Sequence, residues 1–123
     1  MKATLRTRLD GFQERFEELA ALLAEPDVIA DQARFRDYSR EYAELEPLIE
    51  AWRSYRRTED DLEAAEQMRE DSDPEMRELA EEEWREAQAR LEALDADVKR
   101  LLVPRDPDDA SNVFLEIRAG TGG

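Results

Sequence analysis

The 123-residue chain contains neither cysteine nor histidine. Without cysteine there is no disulfide and no thiolate metal site; without histidine the commonest general base and the commonest metal ligand are both missing. Long apolar runs are absent too. None approaches the roughly 18 residues needed to span a bilayer. The start, Met1-Lys2-Ala3-Thr4-Leu5-Arg6, passes straight into an amphipathic pattern instead of the unbroken apolar stretch of a secretion signal. A cytoplasmic location with no membrane contact is the expectation. Positive charge is in short supply: 18 Lys and Arg against 33 Asp and Glu leave a formal charge of −15. Such a balance disfavours dominant nucleic-acid binding, which needs clustered Lys and Arg to displace counterions. It suits a solvated helical surface or one facing a basic protein.

What is present is helical periodicity. From Leu5 the apolar residues fall at Leu9, Phe12, Phe16, Leu19 and Leu23, alternating four and three, which predicts a first helix over about 2–24. Gly11 interrupts it at a cost of about 1 kcal/mol relative to Ala, and Pro26 ends it. A second stripe, Phe35, Tyr38, Tyr42, Leu45, Ile49 and Trp52, extends to Leu62 and Met68 and predicts a helix over 31–70 with Asp31 as its cap. Pro47 lies inside that helix, where a proline costs about 3 kcal/mol. Because the apolar phase passes unchanged from Leu45 to Ile49, a kink is expected and not a split.

Ser72-Asp73-Pro74-Glu75 reads as a third helix start, with Asp73 capping and Pro74 at the first helical position. Its stripe is Ala80, Trp84, Ala87, Leu91, Leu94, Val98 and Leu101, predicting a helix over 74–102. The pairs Glu81 with Arg85, Glu86 with Arg90 and Asp95 with Lys99 have the favourable acid-first spacing. Three such helices bury their stripes most economically against one another, so the expected fold is all-α: an antiparallel three-helix bundle of long, coiled-coil-like helices. Phe12, Phe16, Tyr42 and Trp84 are expected to pack in its core. The runs Glu81-Glu82-Glu83 and Glu70-Asp71 read as solvated faces, since one turn of carboxylates makes a poor cation cage. No catalytic residue, cofactor or metal is expected.

Residues 1–103 thus read as a helical domain and 104–111, rich in Pro and Asp, as a linker. From 112 the alternation of Val113, Leu115 and Ile117 with Phe114, Glu116 and Arg118 reads as a strand, ending in Gly120-Thr121-Gly122-Gly123. A lone strand has nothing of its own to pair with, so 112–123 is expected to be the truncated start of a further domain.

The segment Asn112-Val113-Phe114-Leu115-Glu116-Ile117-Arg118-Ala119-Gly120-Thr121-Gly122-Gly123, preceded by Leu101-Leu102-Val103-Pro104-Arg105-Asp106-Pro107-Asp108-Asp109, resembles the opening of the second domain of bacterial class I peptide chain release factors. Ile29-Ala30-Asp31-Gln32-Ala33-Arg34-Phe35, Ser39-Arg40-Glu41-Tyr42-Ala43 and Asp73-Pro74-Glu75-Met76-Arg77-Glu78 resemble that family's first-domain helices, so the resemblance spans essentially the whole chain. Glu116-Ile117-Arg118 and Thr121 are more similar to the UAA- and UAG-reading type than to the UGA-reading one. The resemblance implies translation termination, in which the complete factor reads a stop codon on the mRNA and promotes peptidyl-tRNA hydrolysis in the peptidyl transferase centre. It also implies, for this N-terminal domain, an accessory place near the stalk base of the large ribosomal subunit and contact with the termination GTPase. In the family the Gly-Gly-Gln loop and the codon-reading tripeptide lie further downstream, so Gly122-Gly123 is not the catalytic pair, no site residue is carried over and the chain is not expected to be an enzyme.

Two other readings compete. A free-standing helical adaptor or chaperone fits the periodicity equally well, but such a protein has no use for a terminal strand and glycine run. A phosphate-binding loop at Gly120-Thr121-Gly122-Gly123 needs a downstream Gly-Lys-Ser/Thr that is absent. If stripes stay exposed, self-association is a further expectation.

Overall fold

The computed structural model describes residues 1–103. They form four helices: α1 (Ala3–Leu22), α2 (Pro26–Ala30), α3 (Gln32–Met68) and α4 (Pro74–Leu102). The long helices α1, α3 and α4 are the three expected from periodicity, and they pack antiparallel. The expected linker at 104–111 and strand within 112–123 lie outside the described residues.

Local chemistry sets the helix ends. The Asp31 carboxylate accepts the Arg34 amide at 3.2 Å and the Asp73 carboxylate accepts that of Glu75 at 3.0 Å, each satisfying a donor that the first turn leaves orphaned. Pro26 does more than end α1. It occupies the first turn of α2, where its missing N–H costs nothing. Five residues are too few for a periodic signal, so the sequence reading placed only a turn there. Val28, fully buried, fastens this short helix, which packs against α3.

α3 is the hub. With 37 residues it runs about 55 Å, whereas the 20 residues of α1 reach only about 30 Å. Arg6 with Glu59 and Arg15 with Glu41 fix where α1 lies along it. Arg69 with Glu81, Trp84 with Glu66 and Arg90 with Asp61 fix the register of α4. Both neighbours therefore overlap only in the middle of α3. There Leu9, Phe16, Leu19, Leu45, Leu48, Ile49, Trp52, Tyr55, Val98 and Leu102 make one buried cluster. Beyond it the end of α3 and the start of α4 continue as a two-helix hairpin, sealed by the small buried residues Ala65, Ala80 and Ala87.

This geometry revises two side-chain expectations. Trp84 lies in the hairpin, outside the core cluster and half-buried, because α1 does not extend that far. Its indole N–H donates to Glu66 at 3.3 Å and its ring carries the Arg69 guanidinium at 4.7 Å. Phe35, at the other end of α3, is 40% exposed. Phe16 and Tyr42 do meet, stacked at 4.3 Å between centroids, and Phe12 packs against the cluster half-buried. Of the three acid-first pairs, Glu81 with Arg85 and Asp95 with Lys99 form at 3.7 and 2.9 Å. The third does not, since Arg90 reaches across to Asp61.

Pro47 sits inside α3, which continues on both sides of it as one helix. The ring is exposed, while Leu45, Leu48 and Ile49 beside it are buried in the shared core, so packing holds the helix together where a hydrogen bond is missing. Gly11 has no such reason to persist. A Cβ built there meets nothing within 4 Å. Gly11→Ala should accordingly stabilise the chain by about 0.5–1 kcal/mol through helix propensity, read as a raised urea midpoint; a lowered midpoint would show that the glycine serves local geometry.

Candidate functional site

Among the described residues no group of three His, Cys, Asp or Glu could hold a metal ion. The acidic runs follow their expected role. Glu81 bridges Arg69 and Arg85, while Glu82, Glu83, Glu70 and Asp71 are exposed. No helix among the described residues is long and apolar enough to cross a membrane. The Gly120-Thr121-Gly122-Gly123 run lies outside the described residues.

The notable chemistry is instead at the α1–α3 seam, where arginines lie on aromatic rings. Arg6 and Arg56 each place a guanidinium 5.4 Å from the centroid of the buried Trp52 ring, and Tyr55 stacks on the same indole at 5.7 Å. Arg53 lies over Phe16 at 5.7 Å. Such contacts hold a planar guanidinium flat while leaving its N–H groups free to point outward. Helical spacing of Arg53, Arg56 and Arg57 along α3 puts them beside one another on its exposed side.

Acidic partners satisfy only part of this set. Arg6 donates both terminal nitrogens to the Glu59 carboxylate at 2.9 and 3.0 Å, which holds its proton more tightly than usual. Arg15 donates Nε and one terminal nitrogen to the Glu41 carboxylate at 2.7 and 2.8 Å, and its other terminal nitrogen bonds Glu18. Those hydrogen bonds raise the Arg15 pKa, and the Arg15 hydrogen bond holds Glu41 below the usual carboxylate range. Tyr55 shifts upward, first because burial disfavours its phenolate and then through Glu59 and Asp95 nearby. Arg56 approaches Asp10 at 3.3 Å. Arg53 has no ion pair among the described residues, and Arg57 bonds only the Ser54 hydroxyl, at 3.1 Å. Gln13, Arg6, Arg53, Arg56 and Arg57 line an open groove of about 790 Å³, with Glu59 and Asp60 beside them and Glu63 and Glu66 toward the hairpin.

The arrangement offers recognition chemistry in the form of guanidinium donors set over aromatic rings. Residues 12–123 match the PCRF domain family. The chain belongs to that family. The match covers both the described helices and the stretch after them, as the resemblance to peptide chain release factors implied. A PCRF domain indicates a release-factor-type function in translation termination and, in general terms, interaction with the ribosome. No solved structure matches the chain. The arginine and aromatic seam was not singled out by sequence reasoning. Its signal was three arginines within five residues, interleaved with Trp52 and Tyr55, inside a chain whose average charge points the other way.

Proposed function

We propose that this PCRF domain is the N-terminal accessory module of a cytoplasmic factor that terminates translation at UAA and UAG codons, with the chemistry and the codon reading supplied by other parts of that factor. The observation that carries this reading is the family match over residues 12–123. In this reading the module helps seat the factor near the stalk base of the large subunit and communicates with the termination GTPase. The helical architecture supports that role physically, because α3 runs unbroken from the shared core into the hairpin and lets a contact at one end orient the rest.

The test is a deletion of residues 1–100 from the complete factor, assayed on ribosomes stalled at a stop codon. Termination should slow or lose its dependence on the GTPase while the chemistry persists. An unchanged rate and unchanged GTPase response would remove the accessory role.

A further inference from the structure

We propose that the arginine face of α3, formed by Arg53 and Arg57 with Arg56 beside them, docks on the phosphate backbone of RNA. The proposal rests on the release-factor reading and names the chemistry of one of its contacts. Three observations lead to it. Arg53 and Arg57 are exposed, one helical turn apart, and lack an ion pair among the described residues, so their guanidinium donors are available to an oxyanion. Arg53 and Arg56 are already placed over Phe16 and Trp52, so binding costs them little rotamer freedom. The groove beside them is open, with Glu59, Asp60, Glu63 and Glu66 along it as well as the arginines, and among the described residues the large exposed apolar side chains, Ile29, Phe35 and Leu79, belong to other parts of the fold.

That last point favours RNA over an acidic protein. A protein interface draws its affinity from apolar and aromatic anchors at its centre, whereas phosphate contacts need only well-placed donors. The distribution of charge gives the contact a direction. Residues 59–86 hold fourteen acidic and three basic residues, −11 of the chain's −15, so most of the repulsion comes from the stretch that begins just past Arg57 and runs through the hairpin. An RNA strand lying on Arg53 and Arg57 is steered to leave the hairpin pointing away from it. The overall acidity thus limits the RNA contact to this face without abolishing it.

The test uses the whole 123-residue chain and a short A-form RNA duplex, with affinity measured by fluorescence anisotropy across a salt series. Wild type should bind weakly, with an affinity that falls as salt rises. Replacing both arginines in Arg53→Gln/Arg57→Gln should reduce the slope of log affinity against log salt by about 2, so a fourfold rise in salt weakens the wild type roughly tenfold more than the variant. Arg34→Gln/Arg40→Gln removes the same charge from another part of α3 and should leave the slope near the wild-type value. Circular dichroism confirms that the exposed substitutions leave the helices intact. No RNA binding by the wild type, an unchanged slope in Arg53→Gln/Arg57→Gln, or an equal loss in the control pair would each overturn the proposal. So would arginine side-chain resonances that move with a polyglutamate peptide and not with RNA. Because no ribosome is involved, such a failure leaves the release-factor reading standing, and that reading can fail in a termination assay while RNA binding persists.

Discussion

Trp52→Ala should destabilise the helical domain by about 3–5 kcal/mol, the range for truncating a large buried aromatic. Trp52 is the largest of the fully buried side chains, at 0% exposure, and it sits where α1 and α4 both overlap α3. Its removal empties the centre of the cluster and strips the ring from beneath Arg6, Arg56 and Tyr55. Domains of this size typically have only about 5–15 kcal/mol in total, so the variant should stand close to unfolding at room temperature. Urea denaturation followed by circular dichroism would show a lower midpoint with little change in slope. The indole N–H has no hydrogen-bond partner among the described residues, so Trp52→Phe gives up no hydrogen bond and should cost clearly less than Trp52→Ala. A loss below about 1 kcal/mol for Trp52→Ala would contradict the three-helix junction.

Pro47→Ala should act in the opposite direction, raising stability by about 2 kcal/mol. A proline inside a helix costs about 3 kcal/mol relative to Ala, and restoring a flexible residue to the unfolded chain returns roughly 0.4–1 kcal/mol of that. The exposed ring gives up no core packing when it is replaced, and the new amide can donate to the Ala43 carbonyl one turn earlier. Differential scanning calorimetry on the 123-residue chain measures the effect as a rise of several degrees in Tm. A fall in Tm would mean that the bend a proline imposes is needed for α1 and α4 to wrap the same helix.

The long helices were legible because three-and-four spacing survives in each, and Asp31 and Asp73 mark two of their starts by chemistry that does not depend on the rest of the fold. Burial along α3 was legible only in part. The sequence stripe through Leu45, Ile49 and Trp52 describes one face, but α3 packs against α1, α2 and α4, and its buried set also includes Leu48, Tyr55 and Ala65. A single periodic stripe cannot say how far a neighbouring helix extends. For that reason Trp84 read as core although it lies in the hairpin beyond the reach of α1, and Phe35 read as core although it is 40% exposed. The arginine face stayed hidden for a different reason. Net charge averages over the chain, while recognition depends on which guanidiniums lack a carboxylate, and only the fold pairs Arg6 with Glu59 and Arg15 with Glu41 while leaving Arg53 without one.

In the proposed function, this PCRF domain serves termination while other parts of the complete factor perform its chemistry. The most direct test is peptide release from ribosomes stalled at UAA, UAG and UGA, comparing the 123-residue chain with the complete factor. Release is expected from the complete factor at UAA and UAG, little at UGA, and none from the chain alone. Inactivity of the complete factor at every stop codon would contradict the assignment to termination, and release by the chain alone would contradict the absence of catalysis within it.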